Sequence, residues 1–214
     1  MRAALGWASL ALAAALLGGC AAVVVGAGGA AAYGALEDRR TAGSQLEDES
    51  NELRAVNRIA ERFGDSVHVN VTSYNRALLL TGEVPDARAR EEIEKIAAAL
   101  PNVRSVTNEL EVAGTASLAS RSNDSLITSK VKVRLLDARR VNPMHVKVVT
   151  EAGVVYLMGI VTEQEGDGAT EVARTTGGVR KVVRVFEYCQ PGDAACRPRE
   201  QPKAAEPAKG KQGS

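Results

Sequence analysis

Three cysteines and two histidines are the residues of this 214-residue chain best suited to chemistry. Cys20 follows Leu17-Gly18-Gly19, small residues of the kind found at a signal-peptide cut. Upstream lie Arg2 and an apolar run from Ala3 to Leu17, shorter than the roughly 20 residues of a membrane span. A thiol at such a cut is open to acylation. Cys189 and Cys196 flank a stretch containing Pro191-Gly192. In an oxidising compartment these two thiols are expected to pair; the other reading is a metal site, for which no His or third Cys stands nearby. His68 and His145 fall at matching places in an internal repeat, so a structural role is expected of both. Glu91, Glu92 and Glu94 read as a solvated helix face. No nucleophile elbow, metal-ligand spacing or phosphate loop stands out. The Gly26–Gly29 string has no strand–helix–strand unit around it and reads as part of a leader. The chain is therefore expected to be no enzyme, with no catalytic residue, cofactor or metal.

The segment ending at Cys20 resembles the lipobox of bacterial lipoproteins. The resemblance implies that residues 1–19 are removed as a signal peptide and that Cys20 becomes an acylated, palmitate-bearing N-terminus. Residue 21 is Ala. In enterobacterial lipoproteins Asp at that position favours retention in the inner membrane, so the resemblance points to the outer membrane, facing the periplasm. Residues 20–45 are then a lipid-anchored flexible leader, and residues 191–214, which end in a Pro, Lys, Glu, Ala and Gln-rich stretch, a disordered tail.

Between the ends the chain repeats itself. Val69-Asn70-Val71, Leu80-Thr81-Gly82-Glu83-Val84 and Val103-Arg104-Ser105-Val106 return as Val146-Lys147-Val148, Leu157-Met158-Gly159-Ile160-Val161 and Val179-Arg180-Lys181-Val182. Each copy reads helix, strand, strand, helix, strand. In the first helix Leu46, Leu53, Val56, Ile59 and Phe63 recur at helical spacing and are expected to face the core. Alternating Val67, Val69, Val71 and Leu78, Leu80 form a hairpin, with its turn at Tyr74-Asn75. Pro85-Asp86 opens a second helix with a stripe of Ile93, Ile96, Ala97 and Leu100. Val103, Val106, Leu110 and Val112 make the last strand. Asp124 is expected to cap the first helix of the second copy. Glycines late in strands, at Gly82 and Gly159, signal close backbone approach or a bulge.

These motifs, above all the Leu/Met-Gly-x-Val strand end and the Gly/Asn-Val-x-x-Val start of the last strand, resemble BON domains. A lipobox followed by two copies resembles the dual-BON outer-membrane lipoproteins of Gram-negative bacteria. The resemblance implies an α+β fold of two tandem domains, each a small three-stranded mixed sheet with two helices on one face. The boundaries are residues 46–113 and 123–190, with a linker at 114–122. It also implies anionic-phospholipid binding, outer-membrane integrity and a part in cell division. The cysteine-bearing tail lies outside the resemblance.

Charge divides the copies. Residues 46–113 hold 8 Lys/Arg against 13 Asp/Glu, a net of −5, while residues 114–190 hold 11 against 8, a net of +3. The basic copy is the candidate for anionic partners. With 3% aromatics and a whole-chain charge of +1, nucleic acid is not expected. In the helix spanning 124–136, Ile127, Val131 and Leu135 form one stripe and Leu126, Val133 and Leu136 another. A helix in a two-layer domain buries only one. The second, with Ser129, Lys130, Lys132 and Arg134 around it, has three possible partners: a bilayer, the first copy, or another protein such as an outer-membrane assembly or division component. An apolar ridge flanked by cations suits an anionic lipid surface. Dual-BON lipoproteins are held to use this helix, and where many carry an aromatic this chain has Leu126.

Overall fold

The computed structural model describes residues 38–114, 118–138 and 141–197, all within one compact unit. Cys20 and the signal region lie outside them. The first lobe runs α1 (Ala42–Phe63), β1 (His68–Tyr74), β2 (Ala77–Val84), α2 (Ala87–Ala98), β3 (Ser105–Asn108) and β4 (Glu111–Val112). The second runs α3 (Leu118–Ala138), β5 (Val146–Glu151), β6 (Val154–Val161), α4 (Glu163–Arg174) and β7 (Lys181–Tyr188). In each lobe a hairpin pairs antiparallel and the last strand returns parallel to its centre. This is the expected α+β architecture. The last strand of the first lobe breaks at Glu109-Leu110: the Leu110 N–H turns to Asn108 Oδ1 and its side chain drops into the core, so β3 and β4 share one edge of β2.

Two apolar layers lie beneath the helices. Ala55, Ile59, Leu78, Leu80, Val84 and Ile93 fill the first, and Ile127, Val131, Leu135, Val155, Leu157 and Val172 the second. A third layer joins the lobes. The helix-free face of each sheet packs on the other through Tyr74, Leu79, Tyr156, Met158 and Ile160, sealed by Cys189 and Cys196. Apart from the half-buried Ala77 and Val154 at the strand starts, the residues of β2 and β6 that a lone two-layer domain would leave in water are buried.

The first helix departs from its apolar pattern. It starts at Ala42 and buries Ser44, Asp48, Asn51, Ala55 and Ile59, while Leu46, Leu53 and Val56 are 68%, 63% and 44% exposed. The reason is electrostatic. The hairpin turn lies at Asn75-Arg76, both with positive φ, and its free N–H groups donate to the Asp48 carboxylate at 2.7 Å each, with Ser73 Oγ adding a third bond. Asp124 repeats this in the second lobe, accepting from the N–H groups of Ala152 and Gly153. It sits inside α3, which begins at Leu118, so it does not cap the helix, and residues 118–122, expected as linker, are helical. Charge-assisted bonds of this kind outweigh burial of a leucine at the same helix face.

Both flanks expected to be loose take part in the fold. Arg39 is buried, and its guanidinium donates to Ile160 O and to both carboxylate oxygens of Glu165. Arg40 pairs with Asp38 and Asp48 and lies over the Tyr74 ring. At the other end Cys189 and Cys196 are joined in a disulfide, and residues 194–196 form a turn of 3-10 helix against the interlobe layer. The folded unit thus reaches back past residue 45 and forward past residue 190.

Candidate functional site

Helix α3 presents two faces. Ile127, Val131 and Leu135 are buried against β5 and β6. On the opposite side Leu126, Val133 and Leu136 are 60%, 56% and 63% exposed, so the first lobe does not cover them. Lys130 and Lys132 are exposed on the two flanks of this ridge, and neither forms an ion pair among the described residues. Ser129 is exposed beside them, its hydroxyl donating back to Ser125 O. Asp137, also exposed, subtracts one charge at the C-terminal end.

Arg134 differs from the expectation. Its guanidinium donates to Thr175 Oγ1, Thr176 Oγ1 and Val172 O at the end of α4. It ties the two helices together and leaves the free cations of the face to the lysines. The structure also adds residues that the helical pattern did not reveal. After α3 the chain turns through Pro143 and the half-exposed Met144, held by Asn142 Oδ1 accepting from the Met144 N–H. Met144, Leu136, Lys132, Lys147 and Arg40 line a hollow of about 410 Å³ at the edge of the ridge. A methionine next to a proline between helix and strand was the available signal. Arg40 comes from the other lobe and had none.

Polar groups at the lobe boundary are mostly bound to each other. Lys147 Nζ meets Glu52 and Ser73 O, and Asn75 Nδ2 donates to Glu187. Burial pushes the Glu165 carboxyl up, but the Arg39 guanidinium and the N–H and hydroxyl of Thr162 outweigh it and hold it at about 2. The Tyr74 phenol is raised to about 12 by burial and by Asp38. None of these groups lies on the exposed face of α3, which offers apolar contact and positive charge. Among the described residues no helix is long and apolar enough to cross a membrane.

Two α-β-β-α-β lobes with a cationic apolar ridge are what the comparisons with known proteins meet. The BON domain family matches residues 52–114 and 123–190, and the chain belongs to it. Over 174 residues it is 37% identical to the outer membrane lipoprotein DolP of Haemophilus influenzae, covering 80% of this chain and 90% of that one. It is 36% identical to a 21 kDa hemolysin of Actinobacillus pleuropneumoniae over 72% of this chain and 80% of the relative. The osmotically-inducible protein Y of Escherichia coli is 34% identical over 55% of this chain and 60% of its own. The chain is thus a dual-BON lipoprotein of the outer membrane.

Proposed function

We propose that this protein is non-enzymatic and docks on anionic phospholipid through α3, supporting outer-membrane integrity and cell division. The observation that carries the reading is the exposure of Leu126, Val133 and Leu136 beside Lys130 and Lys132, which form no ion pair among the described residues, on a helix whose other stripe is core. Fully burying a leucine contributes about 1.5–3 kcal/mol, and each cation near an anionic leaflet about 1 kcal/mol. A ridge of this size lies in the headgroup region without spanning it. The acyl anchor at Cys20 supplies the standing attachment, and the ridge sets which face of the folded unit meets the lipid.

The test is sedimentation of the mature chain with vesicles with or without phosphatidylglycerol or cardiolipin. Binding confined to anionic vesicles and weakened by salt is expected. A Leu126→Glu, Leu136→Glu variant that stays folded and still binds as the parent does overturns the reading. The second reading is an adaptor for outer-membrane assembly or division proteins. It is favoured by a separate observation, the exposed Leu46, Leu53 and Val56 on α1. Vesicle binding that is absent in every composition, with crosslinking to a protein through α1, decides for it.

A further inference from the structure

The helix-free faces of the two sheets meet as near equivalents, and the places where the equivalence fails are informative. With the repeat offset of 77, His68, Tyr74 and Glu83 of the first lobe correspond to His145, Glu151 and Ile160 of the second. On one side of the joint Tyr74 and Ile160 pack in the apolar layer, with the Tyr74 hydroxyl 3.5 Å from His145 O. On the other side Glu151 meets His68 and Glu83. Two carboxylates thus stand where the counterpart positions hold an aromatic and an aliphatic side chain.

Their geometry is compact. His68 and Glu83 are opposite one another across β1 and β2, with Nδ1 2.9 Å from Glu83 Oε2. One donor atom from each of His68, Glu83 and Glu151 lies within 4.8 Å of the other two. Glu83 is 6% exposed, and His68 is its only side-chain partner among the described residues. Two carboxylates held this close beside an imidazole attract a cation. Arg121 lines the adjoining cleft but forms no ion pair with either glutamate among the described residues.

We infer that His68, Glu83 and Glu151 form an interlobe site for a divalent first-row transition ion of the zinc type. Imidazole nitrogen and carboxylate oxygen suit such an ion, and the absence of a thiolate disfavours the softest ones. Bonds of about 2.0–2.2 Å in tetrahedral array place donor atoms roughly 3.4 Å apart. To reach that array the hydrogen-bonded His68–Glu83 pair opens slightly and Glu151 draws in. Asn70 Nδ2 donates to Glu151 Oε2 at 2.8 Å and orients it, the outer-shell support that ligating carboxylates receive. A cleft of about 470 Å³ lined by His68, Asn70, Thr150 and Glu151 leads in from solvent, so a hydrated ion has a path and water can complete its shell. Because His68 and Glu83 belong to one lobe and Glu151 to the other, the bound ion clamps the two BON domains together. This departs from the purely structural role expected of His68.

The test uses the mature chain freed of metal by chelation. Titration with Co²⁺ is expected to give visible d–d absorption that saturates near one equivalent and is displaced by Zn²⁺. Zn²⁺ at about 100 times its Kd is expected to raise the thermal midpoint by several degrees. X-ray absorption should report one imidazole among nitrogen and oxygen ligands. Glu83→Gln and Glu151→Gln, which keep shape and remove charge, should each weaken binding at least ~10-fold and abolish the midpoint shift. Should Glu83→Gln fail to fold by circular dichroism, Glu151→Gln, on the more open side, decides alone. Absence of saturable binding up to about 1 mM, or parental affinity in Glu151→Gln, overturns the site. Vesicle binding plays no part in the readout, so the lipid reading stands or falls separately.

Discussion

Arg39 and Glu165, 126 residues apart, form a two-point ion pair with N–O distances of 2.7 and 3.0 Å. Glu165 is also the third residue of α4 and bonds back to the Thr162 N–H, completing a capping box. The segment that follows the leader is therefore fastened to the start of a helix in the second lobe. The Glu165 carboxyl is held at about 2, below its ordinary 4.5. A depressed carboxylate stabilises the fold above its unfolded pKa, and that stability is lost as pH falls through the folded one. Unfolding free energy is thus expected to drop by on the order of 3 kcal/mol from this group between about pH 5 and pH 2. Denaturant melts across that range should show the drop in the parent and a flatter profile in Glu165→Gln. His145 Nδ1, at the end of the 3-10 turn Pro143–His145, lies 3.6 Å from the same carboxylate.

Stability separates the two stripes of α3. Ile127→Glu places a charge in the second core and should unfold the lobe, a loss above about 4 kcal/mol. Leu126→Glu with Leu136→Glu changes exposed positions and should move the denaturation midpoint by less than the equivalent of ~1 kcal/mol. Urea unfolding followed by circular dichroism checks both.

Gly82 and Gly159 occupy matching places in β2 and β6. A Cβ on either would lie 2.1 or 2.3 Å from the carbonyl oxygen of His68 or His145. Backbone cannot yield as a side-chain tip does, so Gly→Ala at each should cost several kcal/mol or prevent folding. Gly82 also has φ +114°, which adds roughly 1–3 kcal/mol of strain for an alanine. Gly82→Ala is expected to be the worse of the two, measured by soluble yield and thermal midpoint.

The disulfide joins the end of β7 to the short 3-10 turn that caps the interlobe layer. Closing so short a loop contributes about 2–3 kcal/mol in the chain-entropy view. Cys189→Ser with Cys196→Ser should lower the unfolding free energy by that amount and leave the fold intact. Non-reducing mass spectrometry of protein from the periplasm should show the pair linked within one chain.

Cys20→Ser is expected to prevent acylation and leave the chain uncleaved or released from the outer membrane. Fractionation after a salt wash reads the result directly. Retention with the outer membrane after that wash would overturn the lipobox reading.

The order of elements, the repeat and the two α-β-β-α-β copies were legible in the chain alone, because period-2 and period-3.6 patterns and Gly/Pro punctuation are local. Val131 at the core of α3 and Ile93 at the core of α2 follow from spacing. The crowding at Gly82 and Gly159 was signalled by glycine late in a strand. What α1 buries was not legible: Asp48 and Asn51 displace Leu46 and Leu53 because the turn N–H groups of Asn75 and Arg76 arrive from elsewhere in the chain. The pairing of the helix-free sheet faces was equally silent, since alternation along a strand says that a side is apolar and not what covers it. Only the tertiary structure brought Arg39 to Glu165, turned Arg134 toward α4, and set Glu151 of one lobe beside His68 and Glu83 of the other. Periodicity along an element names its apolar stripe, as it did for α2 and α3, but which stripe is buried, as α1 shows, and which distant segments meet depend on how the lobes pack and on the polar partners they bring.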